Sequence, residues 1–88
     1  MNEQTFGRLC KRIIAEQVNE DANRQDDPQI TEEEVYIVWM CKTLQNNKAL
    51  LSTTLPDDMY YECTYNGDKR ELYVDAYHKY SNTKYENI

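Results

Sequence analysis

Residues 35–53 read VYIVWMCKTLQNNKALLST, and residues 59–77 read MYYECTYNGDKRELYVDAY. Each stretch alternates apolar and polar residues on both sides of a turn signal, which is Asn46-Asn47 in the first and Asn66-Gly67 in the second. Alternation with a period of two is typical of strands that bury one face, and Asn and Gly are typical of the tight turns between them. Residues 35–77 therefore predict two antiparallel β-hairpins.

The turn residues also predict how the strands of the first hairpin pair. Asn tolerates positive φ, so Asn46-Asn47 suits a two-residue turn. Such a turn pairs Leu44 with Ala49 and sets Trp39 opposite Thr54.

The second hairpin allows two loop lengths that keep the same faces. A two-residue loop would set Glu62 opposite Glu71, and like charges directly opposite are unfavourable. We therefore expect a four-residue loop, Asn66–Lys69, which pairs Cys63 with Leu72. Both loops predict the same buried face, which consists of Met59, Tyr61, Cys63, Leu72, Val74 and Ala76.

The N-terminal residues predict the one α-helix. Apolar side chains recur there at helical spacing, and Asn2 or Thr5 can cap the start. An isolated helix of this length is marginal in water, so its apolar face must pack on the hairpins. We expect an α+β fold in which an N-terminal helix packs on an antiparallel sheet of about four strands. The single domain, residues 1–88, then consists of a helix (1–19), an acidic connection (20–34), two β-hairpins (35–77) and a polar tail (78–88).

Residues 31–45 are ambiguous between a helix and a strand. Thr31 and Glu34 match a helical capping box. The next residues, Val35 to Trp39, are all β-branched or aromatic and favour a strand. We prefer the strand, preceded by a short helical turn over residues 31–34.

The net charge of −6 is concentrated between the helix and the sheet. Glu16 to Glu34 contain eight acidic residues and one basic residue, a sum of −7, so the rest of the chain sums to +1. Direct binding to nucleic acid usually requires the opposite sign. A charge run is most often a solvated loop, but carboxylates that are held in place can occupy a basic groove of a partner. The candidate partner-binding acids are Glu20, Asp21, Asp26, Asp27, Glu32, Glu33 and Glu34.

Exposed tyrosines are the second candidate surface. We expect Tyr36, Tyr60 and Tyr73 to lie, with Tyr77, on the sheet face away from the helix. Tyrosine is enriched at protein interfaces, where it often anchors the contact. The same residues can instead cover a second sheet face or form a homodimer contact, so a second copy of the chain is the alternative partner.

The side chains that bind zinc are scattered along the sequence. Cys10, Cys41, Cys63 and His78 are of the types that hold zinc in small proteins. Their spacing matches no zinc motif, and Cys10 and Cys63 fall on predicted buried faces, so we favour free thiols and no cofactor. An odd number of cysteines also fits reduced thiols better than a disulfide framework.

No sequence motif predicts an enzyme. The two glycines, Gly7 and Gly67, form no phosphate-binding loop, and His78 has no cysteine at the spacing of a nucleophilic pair. No stretch approaches the ~20 apolar residues that span a membrane, and the N-terminus has no signal-peptide pattern. We therefore expect a non-enzymatic cytoplasmic protein without membrane contact.

The stretches VYIVWMCKTLQNNKALLST and DDMYYECTYNGDKRELYVDAYHKY resemble a family of short uncharacterised proteins encoded by phages and prophages of Gram-positive bacteria. The resemblance covers residues 31–80 and rests on the runs KTLQNNKALLST and YNGDK. It implies no activity and no catalytic residue, because the family is a domain of unknown function. It does imply a setting, since small acidic phage proteins often inhibit a host machine. Anti-CRISPR inhibitors of Cas9 are one such class, and Cas9 has basic nucleic-acid channels.

Charge, tyrosines and resemblance together predict a small acidic phage-encoded protein that inhibits a host defence protein by contact. The most concrete target is a Cas9-type nuclease in the cytoplasm of the bacterial host. The alternative is a homo-oligomeric accessory or regulatory phage protein without a defence role, which associates with itself through the tyrosine face.

Overall fold

The computed structural model describes residues 1–88 and shows one α-helix packed on a four-stranded antiparallel sheet. The α+β fold and the two hairpins predicted from the alternating pattern are confirmed. The strand order is β1-β2-β3-β4, so each strand pairs with the next one along the chain. The elements are α1 (Glu3–Asn19), two 3₁₀ turns (Ala22–Arg24 and Glu32–Glu34), β1 (Val35–Thr43), β2 (Asn46–Thr53), β3 (Met59–Asn66) and β4 (Glu71–His78).

Helix α1 begins where Asn2 caps it. The side-chain Oδ1 of Asn2 accepts a hydrogen bond from the backbone N–H of Thr5 at 2.8 Å, which satisfies one of the donors that a helix start leaves free. Phe6, Cys10 and Ile14 lie one turn apart and are fully buried against the sheet. Complete burial of a side chain such as Phe6 contributes about 1.5–3 kcal/mol, so packing on the sheet stabilises the helix.

The hydrophobic core is a single layer between α1 and one face of the sheet. The helix packs mainly on β1 and β2, and β4 lies furthest from it. As a result, Leu72 and Val74 are only half-buried and Ala76 is exposed, so the predicted burial of Ala76 is wrong. The fully buried cluster consists of Phe6, Cys10, Ile14, Ala15, Val18, Ile30, Val35, Ala49, Leu51, Tyr61 and Cys63.

The first hairpin turns at Leu44-Gln45, and the predicted turn at Asn46-Asn47 is wrong. Leu44 has a φ of 56° and is exposed, so an apolar residue takes the left-handed position. Asn47 instead belongs to β2, where it is 2% exposed and pairs with Tyr65 of β3. The pairing of β2 with two neighbours therefore outweighs the local turn preference of asparagine.

A register shift between Ile37 and Trp39 determines on which face of the sheet the Trp39 side chain lies. Ile37 pairs with Leu51 and Trp39 pairs with Leu50, so Val38 is an extra residue in this ladder. A bulge of this kind reverses the alternation beyond it. Trp39 therefore lies opposite Leu50, and not opposite Thr54 as predicted.

The second hairpin keeps its predicted faces, but its pairing is shifted. Asn66 pairs with Glu71, so the four loop residues are 67–70, and the predicted pairing of Cys63 with Leu72 is wrong. Asn66 closes the loop from outside it, because its Oδ1 accepts the N–H groups of Asp68 and Lys69 at 3.1 and 3.2 Å. This register sets Glu62 opposite Asp75, a like-charge pair of the kind used above to choose the loop. The Nζ atom of Lys48 lies 3.4 Å from Glu62 Oε1 and reduces that repulsion.

The two hairpin turns touch each other at Gly67. A Cβ atom at this position would overlap the backbone carbonyl oxygen of Gln45 and would stand 2.8 Å from Gln45 Cβ. Gln45 Nε2 donates to Asp68 Oδ1 at 2.6 Å, and the N–H of Gly67 donates to Asn46 Oδ1 at 3.0 Å. The close approach therefore requires glycine and is held by two hydrogen bonds.

Residues 35–43 form a strand that follows a 3₁₀ turn over residues 32–34, so the preference for a strand is confirmed. The turn over Glu32–Glu34 begins after Thr31, whose side chain makes no capping hydrogen bond. At the other end of the sheet, residues 79–88 form neither helix nor strand and are exposed. The backbone N–H of Lys79 donates to the carbonyl of Asp58 at 2.7 Å, which is where the chain leaves the sheet.

Candidate functional site

One face of the sheet has no helix on it and carries most of the exposed aromatic side chains. We call this the open face. It is made of three cross-strand rows, because directly paired residues of neighbouring strands point to the same side. The rows are Tyr36, Ser52, Tyr60 and Tyr77; Trp39, Leu50, Glu62 and Asp75; and Cys41, Lys48, Thr64 and Tyr73.

The aromatic residues of the open face remain accessible to solvent. Trp39 is 43% exposed, Tyr73 is 57% exposed and Tyr77 is 53% exposed, whereas Tyr60 is half-buried between its neighbours. The structure therefore places Tyr36, Tyr60 and Tyr73 on one continuous surface with Tyr77. Apolar rings gathered on one accessible surface are typical of a site for a macromolecular partner.

Charged side chains lie among these rings. Lys48 and Glu62 form an ion pair at 3.4 Å, and Asp75 lies opposite Glu62 on β4. The hydroxyl of Tyr73 donates to Glu71 Oε2 at 2.6 Å, and this hydrogen bond raises the pKa of Tyr73 above its ordinary value. Glu71 borders the three rows on β4, with the same parity as Tyr73, and together with Lys48, Glu62 and Asp75 it gives the open face and this border a net charge of −2.

The acidic connection is held to the end of α1 by a buried residue and two hydrogen bonds. Ile30 is 5% exposed and belongs to the hydrophobic core. Asn19, the last residue of α1, donates from Nδ2 to the Ile30 carbonyl at 2.9 Å and accepts the Ile30 N–H at 2.8 Å. A pair of hydrogen bonds between one side chain and one backbone unit fixes both distance and orientation. The connection is therefore a packed loop.

Further hydrogen bonds hold the middle of the acidic connection. Arg24 donates from Nη2 to the carbonyl of Pro28 at 2.8 Å, and its Nη1 lies 3.7 Å from Asp27 Oδ2. Asp21 accepts the N–H of Asn23 at 2.9 Å through its side chain. Arg24, the one basic residue of the acidic connection, thus joins two later residues of the same segment, whereas most of the carboxylates remain exposed to solvent.

Carboxylates at the end of α1 occupy an electrostatically unfavourable position. Glu20 and Asp21 follow the C-terminus of the helix, and the last turn contains no basic residue. A helix C-terminus carries a partial negative charge, and acids placed there cost about 0.3–1 kcal/mol each at an exposed site. The arrangement concentrates negative potential at this end of the molecule.

A cleft of about 540 Å³ separates this end of α1 from β3 and β4. Tyr61 lies in its lining with Glu20, Asp21 and Asp57. Burial raises the pKa of Tyr61, the nearby carboxylates of Asp57 and Asp21 raise it further, and Arg24, which also lines the cleft, offsets part of this increase. The cleft is therefore an acidic environment that favours the neutral phenol.

The structure does not bring the predicted acids and the predicted tyrosines together. Glu32 and Glu33 line a depression with Arg12 and Ala15 of α1, which places them in the helix layer. The tyrosines lie on the opposite side of the sheet. The predicted site residues thus form two surfaces. The acidic connection carries Glu20, Asp21, Asp26, Asp27, Glu32, Glu33 and Glu34, and the open face carries Tyr36, Tyr60 and Tyr73.

The four candidate zinc ligands are also separated. Cys10 and Cys63 are fully buried between α1 and β3. Cys41 is exposed and lies on the open face, and His78 is exposed at the end of β4. No group of three or more metal-binding side chains comes together in the chain. A hydrogen bond with Cys63, together with burial, raises the pKa of Cys10, so this thiol stays protonated at neutral pH.

Sequence reasoning missed part of the open face. Glu62 shares the parity of Tyr60 in β3, and Asp75 shares that of Tyr73 and Tyr77 in β4, so that signal could have assigned both; β2 contains no tyrosine that could assign Leu50. Trp39 could not be assigned in this way, because the bulge at Val38 reverses the alternation of β1. The Asn19–Ile30 contact spans 11 residues and leaves no periodic signal in the sequence.

A scan against protein-family models matches residues 7–87 to one family, described as a family of unknown function (DUF6275). The chain belongs to this family. The match includes most of α1, all four strands and nearly all of the tail, so the family covers both surfaces described above. The expectation that the chain belongs to an uncharacterised family is confirmed.

Two further comparisons gave no match. Neither the search of curated proteins nor the search of solved structures found a similar protein. The phage origin and the inhibitory role implied by the resemblance stay predictions. Helix α1 lacks the length and apolar character needed to cross a membrane.

Proposed function

We propose that this chain is a small non-enzymatic binding protein that inhibits a host protein by direct contact. In its most concrete form, the proposal names a Cas9-type nuclease as the target, in a bacterium infected by the phage that encodes the chain. The single observation that carries this proposal is the open face, a four-stranded sheet surface of exposed aromatic side chains with no covering layer.

The charge distribution favours a basic partner. The acidic connection contains seven acidic residues and one basic residue, and its fixation by Asn19 and Ile30 pre-organises the carboxylates. Pre-organised groups lose less conformational entropy on binding, and negative surfaces speed encounter with positive ones. Cas9-type nucleases hold their nucleic acids in positively charged channels. The resemblance to proteins of phages supports the same class of target.

A DNA-cleavage assay tests the proposal. The purified chain is titrated into a guide-loaded Cas9-type nuclease from a Gram-positive bacterium, and cleavage of target DNA is measured. We expect inhibition at a near-stoichiometric amount. The double variant Tyr73→Thr/Tyr77→Thr removes two rings from the open face and should raise the half-inhibitory concentration about tenfold or more. Threonine suits exposed strand positions, so the variant should still fold.

The tail provides a matched control. Tyr80 and Tyr85 are exposed and lie outside the sheet, so the variant Tyr80→Thr/Tyr85→Thr makes the same chemical change away from the open face. We expect this control to inhibit like the unmodified chain. Absence of inhibition at a large molar excess of the chain would overturn the Cas9 target. Equal inhibition by both double variants would overturn the role of the open face.

A further inference from the structure

The middle row of the open face joins an aromatic ring to two carboxylates. Trp39, Leu50, Glu62 and Asp75 are consecutive cross-strand partners from β1 to β4. Neighbouring strands lie about 4.8 Å apart, so the row extends over about 15 Å. Tyr73 and Tyr77 flank Asp75 at alternate positions of β4 and point to the same side. The carboxylate end of the row is therefore bordered by two phenol rings.

The two carboxylates of this row are not fully neutralised. Lys48 forms an ion pair with Glu62 at 3.4 Å, but Asp75 takes part in no ion pair. Like charges directly opposite on paired strands are destabilising. A cation placed near Asp75 would remove this repulsion, so the row is suited to receive a positive charge from outside.

Arginine fits this combination of groups better than lysine. Its guanidinium is planar, stacks on aromatic rings and donates two parallel hydrogen bonds to a carboxylate. An ammonium group is a compact and strongly hydrated point charge that cannot make the bidentate pair. We infer that the open face recognises arginine side chains on a protein partner, with Asp75 and Glu62 pairing the guanidinium groups and Trp39, Tyr73 and Tyr77 stacking on them.

A second copy of the chain is the weaker candidate for this surface. Lys48, Glu62 and Asp75, with Glu71 at the border, give each open face a net charge of −2, so two facing copies would bring together −4. Burial of unpaired carboxylates is costly. An arginine-bearing surface supplies the opposite charge, and the inference therefore commits to such a partner. It rests on the proposed function only in taking the open face as a binding surface.

Fluorescence of the single tryptophan tests the inference without the natural partner. The probes are two acetylated, amidated peptides of the same length, one with three arginines and three glycines and the other with three lysines and three glycines. Trp39 lies in the row, so its emission reports binding there directly. At low ionic strength we expect the arginine peptide to bind about fivefold more tightly than the lysine peptide.

Two variants with the same change in net charge distinguish binding at the open face from nonspecific electrostatic attraction to the acidic chain. Asp75→Asn removes the unpaired carboxylate of the row, and Asp26→Asn removes an exposed carboxylate of the acidic connection. We expect Asp75→Asn to weaken binding of the arginine peptide about fivefold and Asp26→Asn to change it less than about twofold. Equal affinities for the two peptides, or equal effects of the two variants, would overturn the inference.

Sedimentation equilibrium over a range of concentrations tests whether a second copy of the chain binds to the open face. The inference predicts a monomer, and a dimer in which Trp39 is protected from acrylamide quenching would overturn it. The two proposals can fail separately. Nuclease inhibition without a preference for arginine overturns only the arginine inference, whereas a preference for arginine without inhibition overturns only the nuclease target.

Discussion

The contact between the two hairpin turns makes a prediction whose size follows from the structure. In Gly67→Ala, the new Cβ overlaps the carbonyl oxygen of Gln45, which is a backbone atom and cannot rotate away. The turns must then separate, and both hydrogen bonds that join them, from Gly67 to Asn46 and from Gln45 to Asp68, are lost or lengthened. At about 0.5–1.5 kcal/mol for each bond, the expected loss of stability is about 1–3 kcal/mol.

Urea unfolding followed by Trp39 fluorescence measures this loss. For a domain of this size, each kcal/mol also lowers the melting temperature by about 4–8 °C, so thermal unfolding provides a second reading. Gly7→Ala is the control, because its Cβ would stand 3.1 Å from the mobile end of the Ile37 side chain. In the middle of a helix, that change gains about 0.5–1 kcal/mol of propensity, so we expect no net loss. A Gly67→Ala chain as stable as the unmodified protein would refute the reasoning.

Three other substitutions test the packing around the site. Asn19→Ala removes both hydrogen bonds to Ile30 and should cost about 1–3 kcal/mol in urea unfolding, with faster hydrogen exchange at the Ile30 amide; an unchanged exchange rate would contradict the anchoring of the connection. Asn47→Leu replaces a buried amide whose Oδ1 and Nδ2 make no hydrogen bond. It should raise the free energy of unfolding by about 1–2 kcal/mol, and a clear loss would contradict that description. Folding raises the pKa of Tyr61 above its ordinary value of 10.0. The stability that results is therefore complete below pH 10.0 and is lost as the pH rises through the pKa of the folded chain. Tyr61→Phe should therefore flatten the loss of stability in alkaline unfolding, and an identical pH profile would count against the raised pKa.

The strands and their faces could be predicted from the sequence because the pattern is strong. Alternation in residues 35–53 and 59–77 was enough to assign two hairpins, and β3 and β4 kept their predicted faces despite a shifted register. A shift of two residues in one strand preserves every face, since side chains alternate with a period of two. The fold class therefore did not depend on the loop length.

The registers could not be predicted, because contacts with a third strand decided them. Asn47 has a strong local preference for a turn, but it is buried in β2 between β1 and β3. Glu62 lies opposite Asp75 despite their like charges, and Lys48 on the neighbouring strand β2 forms an ion pair with Glu62. The pairing within one hairpin therefore depends on contacts with the neighbouring hairpin, which a pattern confined to one hairpin does not contain.

Most residues of the two candidate surfaces could be predicted from the sequence, but the contacts that position them could not. Counting charges located the acidic connection, but only the contact of Asn19 with Ile30 shows that it is packed against the fold. The tyrosines were assigned to the open face, whereas Trp39 reaches it through a bulge that no alternating pattern contains. Both differences come from tertiary contacts that a single sequence does not encode in its periodicity.

The most direct test of the central claim observes Trp39 in the presence of the proposed target. The chain is labelled with 5-fluorotryptophan, which gives one fluorine resonance because Trp39 is the only tryptophan. Unlabelled guide-loaded Cas9-type nuclease is then added while DNA cleavage is measured on the same sample. If the open face is the binding surface, the resonance shifts and broadens at the molar ratio at which cleavage stops. A resonance that remains unchanged while the nuclease is inhibited would contradict the account.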